Sequence, residues 1–210
     1  MYSVKEVYYT IQGEGYHSGR PAVFLRFAGC NLWTGLEKDR KKAVCNFCDT
    51  DFVGTDGVGG GKFDTAKDLA HHAFALWPME SSSKPYVVCT GGEPLLQMDK
   101  EFVAAFHKLG FEIAIETNGT ILPPEGIDWI CVSPKIGSEL ILKQGNELKL
   151  VYPQHNGNPE QFENLDFDHF SLQPMDGPNH EKNTDKTLSY CRQYPHWRVS
   201  LQTHKFLGIR

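Results

Sequence analysis

The chain of 210 residues contains no apolar run approaching the roughly 20 residues that a membrane-crossing helix needs. Its amino-terminal stretch, MYSVKEVYYTIQGEG, has no apolar signal core, so the expected location is the cytoplasm. Positive charge is in short supply: 21 Lys and Arg stand against 26 Asp and Glu, a net charge of −5. No basic stripe with interleaved aromatics occurs, which excludes a nucleic-acid coat and favours a small-molecule substrate. There is no internal repeat and no long linker, so one domain over residues 1–210 is expected. The sequence also has no Cys or His between Cys30 and Cys45, so Cys45 and Cys48 lack a second pair close by.

What the chain does contain, at 40% hydrophobic residues, is enough apolar material for a full core. Short β-branched and aromatic runs predict strands over residues 22–28, 86–90, 112–116, 129–133, 147–152, 169–173 and 198–203. Helices are predicted over 65–77, 100–109, 159–165 and 184–194, with Ser, Asp or Asn available as caps. Strand–helix alternation builds a parallel sheet, and several connections are too short for a full helix. The fold class is therefore α/β, as an incomplete, partial TIM-like barrel. The Gly-rich stretch 53–62 is the expected mobile loop. Asn118-Gly119-Thr120 matches a glycosylation sequon but reads as a strand-end turn in a reducing compartment.

Three thiols, Cys30, Cys45 and Cys48, fall within 19 residues, spaced C-x14-C-x2-C over the loop 30–48. Structural zinc wants four closed ligands, and Cys30 stands alone, leaving only distant candidates such as His17, His71 or His72. Three soft thiolates without a fourth suit an iron–sulfur cluster that keeps one iron open. Cys89, Cys131 and Cys191 lie singly in apolar stretches and read as core packing. Polar residues gather where parallel sheets place their chemistry, at the carboxyl ends of the predicted strands. Gly91-Gly92-Glu93-Pro94, Thr117-Asn118-Gly119, Pro134-Lys135, Pro174-Met175-Asp176 and Gln202-Thr203-His204-Lys205 all occupy such positions.

The motifs QGEG (12–15), RFAGCNLW (26–33), FCDT (47–50), CTGGEP (89–94), ETNG (116–119), SPK (133–135), QPMDGP (173–178) and QTHK (202–205) together carry a resemblance. They resemble the radical S-adenosylmethionine (SAM) enzymes and, among these, the 7-carboxy-7-deazaguanine synthase family, from Val4 to the carboxyl terminus. Most radical SAM enzymes carry C-x3-C-x2-C; the fourteen-residue gap departs from that spacing and is shared by some members of this family. The resemblance implies a [4Fe–4S] cluster on Cys30, Cys45 and Cys48, with SAM on the open iron. It implies ring contraction of 6-carboxy-5,6,7,8-tetrahydropterin to 7-carboxy-7-deazaguanine with loss of ammonia, on the path to queuosine. It also suggests a homodimer, and the low-potential electron that such a cluster needs makes a flavodoxin or ferredoxin the expected donor. Two other readings stay open on the residues alone: a radical SAM activase acting on a partner protein, and a non-enzymatic zinc-binding module.

Motif matching implies SAM contacts at Gly91, Gly92, Glu93, Glu116, Asn118, Ser133, Pro134, Lys135, Gln173, Pro174, Met175 and Asp176. The glycines let backbone approach closely. For the pterin it implies Ile11, Gln12, Gly13, Glu14, Arg26, Thr90, His204 and Arg210. A carboxylate matches the N–H edge of an aminopyrimidinone, as expected of Glu14, and a guanidinium matches the substrate carboxylate, as expected of Arg26. Arg26 interrupts the apolar run AVFLRFA, where an unpaired charge is costly. Thr50, two residues past Cys48, is the expected Mg²⁺ ligand beside the substrate carboxylate, with turn capping as its alternative role. The net basic run Glu37–Lys42 is expected either to dock an acidic electron donor or to form a solvated helix face.

Overall fold

Runs of Val, Ile, Leu and Phe with little interruption suit strands buried on both faces, as parallel sheets require. In the computed structural model, which describes residues 1–210, they are strands of one nine-stranded sheet. The strands are β1 (Tyr2–Ile11), β2 (Pro21–Phe27), β3 (Gly61–Phe63), β4 (Tyr86–Gly91), β5 (Glu112–Thr117), β6 (Trp129–Val132), β7 (Gln144–Tyr152), β8 (Asp166–Pro174) and β9 (Trp197–Val199). Their order is β3-β1-β2-β4-β5-β6-β7-β8-β9. β1 runs antiparallel to β2 and β3, whereas every pairing from β2 through β4 to β9 is parallel. The edge strands β3 and β9 are three residues each and do not pair with one another, so the barrel stays open, as expected.

Helices α1 (Ala66–Phe74), α2 (Lys100–Lys108), α3 (His180–Gln193) and α4 (Thr203–Leu207) complete the regular structure with three short 3-10 turns. Thr65 caps α1 by accepting from Asp68 N at 3.1 Å, and Asp99 caps α2 by accepting from Phe102 N at 2.8 Å. Leu69, Ala70 and Ala73 of α1 and Phe102, Val103 and Phe106 of α2 lie on one face each and pack with β1, β2, β4 and β5 in the larger core. A smaller core joins β6 to β9 with Phe162 and Trp197. Cys89 and Cys131 are buried as core residues, and Cys191 packs at the edge of the smaller core. No helix is long and apolar enough to cross a membrane.

Four expectations are corrected. The expected helix at 159–165 is only a 3-10 turn, Pro159–Phe162. The expected strand 198–203 ends at Val199, and Thr203 instead opens α4. The basic run Glu37–Lys42 is a 3-10 turn rather than a helix face. The Gly-rich stretch is laced to β1: Lys5 Nζ donates to Val53 O at 2.9 Å, Gly57 N to Lys5 O at 2.9 Å and Val7 N to Val58 O at 2.8 Å.

Candidate active site

The carboxyl ends of the parallel strands and the loops after them enclose one cavity of about 520 Å³, within the range of small-molecule sites. Cys30, Cys45, Cys48 and Thr50 line it from the loop between β2 and β3. Ile11, Gln12, Gly13 and Glu14 reach it from the end of β1, joined by Arg26, Thr90, His204 and Arg210. Gly91, Gly92, Glu116, Asn118, Ser133 and Lys135 line it further round, as do Gln173, Pro174, Met175 and Asp176. Residues scattered over the whole chain are thus brought together, as strand-end placement predicts.

Two of the expected SAM contacts do not line the cavity, Glu93 and Pro134. Glu93 is fully buried, at 0% exposure, because its carboxylate accepts from Leu95 N, Thr117 Oγ1 and Asn118 N at 2.8–3.0 Å. It fixes the turn after β5 from within. Pro134 turns its carbonyl to Gln154 Nε2 at 3.1 Å.

The two glycines before Glu93 permit close loop packing. A Cβ at Gly92 would collide with the Gly29 carbonyl and lie 2.7 Å from Cys30 Cβ, and Glu93 N donates to Gly29 O at 2.9 Å. The loop carrying the first thiol therefore rests on the loop after β4. Cys45 donates its thiol hydrogen to Cys48; that bond draws the Cys48 thiol down to about 6 and, with burial, pushes Cys45 up. Burial also raises Cys30, whose Sγ accepts from Leu32 N at 3.4 Å.

No three His, Cys, Asp or Glu side chains converge on a point that one metal ion would fill. His71 and His72 are bonded to the carbonyls of Lys67 and Gly59, and His17 packs on Trp129, so none adjoins the thiols. Three thiols around a cavity mouth, without a fourth protein donor, fit a cluster with one iron left for another ligand.

Charged side chains form a chain of contacts across the interior. Lys149 of β7 donates to Glu14 at 2.6 Å and to Glu116 at 3.1 Å. Gln12 Nε2 donates to Glu116 at 2.9 Å while its Oε1 accepts from Glu14 N at 3.0 Å. Gln202 Nε2 donates to the other oxygen of Glu14 at 2.9 Å and to Asp49 at 3.2 Å. Burial would raise the Glu14 carboxyl, but the Lys149 ammonium outweighs it and holds the group at about 2. Burial likewise opposes the charge on Lys149, and the carboxylates of Glu116 and Glu14 keep it well above the usual lysine range. Glu14 is therefore a fixed carboxylate at neutral pH.

Arg26 has the partner that its place in an apolar strand demands, and that partner is a protein carboxylate: Nε donates to Glu6 Oε1 at 2.8 Å, and Arg210 approaches the same carboxylate at 3.4 Å. Lys135 bends onto its own turn, donating to Ser133 O and Oγ at 2.7 Å each. Asn118 Nδ2 donates to Asn31 beside Cys30 at 2.9 Å, tying the end of β5 to the thiol loop. The Thr50 backbone lies against Cys48, its carbonyl 4.0 Å from Sγ, and no turn-capping bond from its hydroxyl forms.

Sequence inspection missed Lys149 and Glu6, and it gave no role to Gln202, Lys205 and Asp49 within the motifs QTHK and FCDT. Lys149 carries the same signal that drew attention to Arg26, a lone cation in an apolar strand, ELKLVY. Lys205 bridges Asp49 at 2.8 Å to Asp176 at 2.5 Å, a contact that only the tertiary fold creates.

An open parallel α/β barrel with a three-thiol loop at its carboxyl-end mouth defines the class: a radical SAM enzyme. No family model matches the chain. It is 60% identical over 209 residues to the 7-carboxy-7-deazaguanine synthase of Bradyrhizobium diazoefficiens, covering 100% of this chain and 99% of that protein. The enzyme of the same name from Caulobacter vibrioides is 58% identical, with 99% of each chain covered. The crystal structure of QueE from Escherichia coli superposes with a TM-score of 0.67 at 25% identity, covering 95% of this chain and 93% of that one. The chain belongs to the 7-carboxy-7-deazaguanine synthase family.

Proposed function

We propose that this protein contracts 6-carboxy-5,6,7,8-tetrahydropterin to 7-carboxy-7-deazaguanine with release of ammonia. The observation that carries the reading is one cavity with three unpaired cysteines on one wall and the carboxylate of Glu14 on another. Family membership supports the same reaction. Cys30, Cys45 and Cys48 hold the [4Fe–4S] cluster. When bound, the cluster and SAM supply the hydrogen-abstracting 5′-deoxyadenosyl radical. The chain's own work is to bind, orient and shield.

Glu14, kept ionised by Lys149, accepts from the N–H edge of the pterin ring. Gln12 braces both Glu14 and Glu116. Arg26, held through Nε by Glu6, lines the cavity where its guanidinium would meet the substrate carboxylate. Thr90 and His204 add polar contacts, with Ile11, Gly13 and Arg210 around the ring. Gly91, Gly92, Glu116, Asn118, Ser133, Lys135 and the segment Gln173 to Asp176 surround SAM. Glu93 and Pro134 shape its turns from behind.

The hydroxyl of Thr50, free of protein partners and on the cavity wall, would be the protein ligand of an Mg²⁺ ion, which would supply charge to orient the substrate carboxylate. A homodimer rests on the family resemblance, a flavodoxin or ferredoxin as donor on the basic run Glu37–Lys42, and a cytoplasmic location on the amino-terminal sequence without an apolar signal core. Anaerobic incubation with SAM, a reductant and the pterin tests the reading. Product and ammonia are expected, and Cys45→Ala should lose both the iron and turnover. Absence of product from protein carrying a full cluster would overturn the reaction, and normal iron in Cys45→Ala would overturn the cluster assignment.

A further inference from the structure

The fourteen residues between Cys30 and Cys45 fold around one of their own side chains. Arg40, in the 3-10 turn Glu37–Lys42, is 30% exposed and points its guanidinium at the Cys45–Cys48 turn. Nη1 donates to the Cys48 carbonyl at 2.9 Å and to the Asn46 carbonyl at 3.1 Å. No backbone N–H reaches either oxygen. The opposite edge of the guanidinium is clamped by Glu37, which accepts from Nε at 2.8 Å and Nη2 at 2.6 Å. One face lies over Trp33, 4.1 Å from the ring centroid. Trp33 is itself buried and stands edge-on to Phe52. The guanidinium is thus a rigid fork, fixed by an ion pair and an aromatic platform, whose free prongs hold two carbonyls between and beside the paired thiols.

We propose that Arg40 is a positioning residue for the iron–sulfur cluster, holding the Cys45–Cys48 turn in its cluster-binding shape and keeping a fixed positive charge beside it. The proposal rests on the cluster reading above. Lysine has no planar fork, so it cannot grip Glu37 and two carbonyls at once, although it preserves the charge. That difference separates geometry from charge. A cation near a cluster favours its reduced, more negative state, so charge is read in the reduction potential and geometry in retention of iron.

Three measurements on Arg40→Met and Arg40→Lys test it, beside the wild type. Amide hydrogen exchange over residues 43–50 of the apoprotein reads the turn without any cluster. Iron release to a chelator from reconstituted protein reads retention, and a redox titration reads the potential. Both variants are expected to lose protection in the turn and to release iron at least about tenfold faster, the factor that a loss of about 1.4 kcal/mol produces. The potential should fall in Arg40→Met and stay near wild type in Arg40→Lys. Exchange and iron release within about twofold of wild type in both variants would overturn the proposal, as would an unchanged potential in Arg40→Met. Wild-type protein that takes up no [4Fe–4S] cluster defeats the functional reading, and this proposal with it. A normal wild-type cluster with indifferent variants defeats the role of Arg40 alone.

Discussion

Replacing Lys149 with methionine keeps the length and apolar stem of the side chain and removes the ammonium that both Glu14 and Glu116 share. The side chain is 4% exposed, so water cannot substitute for it. Removing one partner of a buried ion pair costs about 3–5 kcal/mol, because the remaining charge is left unmatched. Glu14 shows the same attraction: the Lys149 ammonium outweighs burial and holds its carboxyl well below the usual carboxylate range. Lys149→Met should therefore lose roughly 3–5 kcal/mol near neutral pH. The pH dependence discriminates further. In the wild type the depressed Glu14 contributes its full stability above about pH 4.5 and loses it as pH falls through about 2. In the variant burial dominates and the carboxyl takes up a proton more readily than in the unfolded chain, so the variant gains on the wild type as pH falls toward about 5. Urea unfolding of anaerobic apoprotein at about pH 7.5 and 5.5, followed by tryptophan fluorescence, measures both effects. A deficit under about 1 kcal/mol at the higher pH, or one that does not shrink at the lower pH, would refute the reasoning.

Phe106 is fully buried and stacked on Phe102 at 4.2 Å between centroids, so Phe106→Ala should cost about 3–5 kcal/mol in the same unfolding assay. Thr50→Ala should keep the cluster and SAM binding but lose most stimulation by Mg²⁺; wild-type turnover that survives thorough removal of divalent ions would return Thr50 to a plain loop role. Lys41 and Lys42 remain exposed while Arg40 is spent inside the loop. Reversing both lysines to glutamate should therefore weaken flavodoxin-driven turnover and flatten its salt dependence, whereas turnover with a chemical reductant should hold.

Much of the fold was legible because its parallel strands are nearly unbroken aliphatic runs, such as YVVC in β4 and EIAIE in β5. β1 escaped because Lys5 and Glu6 interrupt its pattern. They sit at an irregularity in the register with β2 and find partners in Asp51, Asp56 and Arg26. β3, only Gly-Lys-Phe, carries no propensity that separates it from loop. The segment after Val199 read as strand because Ser, Leu, Gln and Thr do not distinguish extended chain from a turn into a helix. In the fold, Thr203 N and Oγ1 both bond Gly13 O at 2.9 Å, which starts α4 there. Cavity-lining residues were legible where a motif or a stranded charge announced them. What stayed hidden was how they are occupied: Arg26 by Glu6, Gln12 by Glu116 and Glu93 by the turn after β5. Those pairings depend on which strands become neighbours, and no local pattern encodes that.

The bridge from Lys205 to Asp49 also sets an order of events during synthesis. The two residues are 156 positions apart, and Asp49 adjoins the last of the three thiols. At about 5–20 residues per second, the ribosome needs roughly 8–30 s to travel from one to the other. Throughout that interval the thiol loop is made but its clasp is not, and neither are the strands that wall the opposite side of the cavity. The finished pocket therefore exists only after the last strand and the helix beyond it have been translated. Until then Cys45 and Cys48 lack the folded surroundings that pull their two thiols apart in acidity, and they meet the redox buffer as ordinary free thiols.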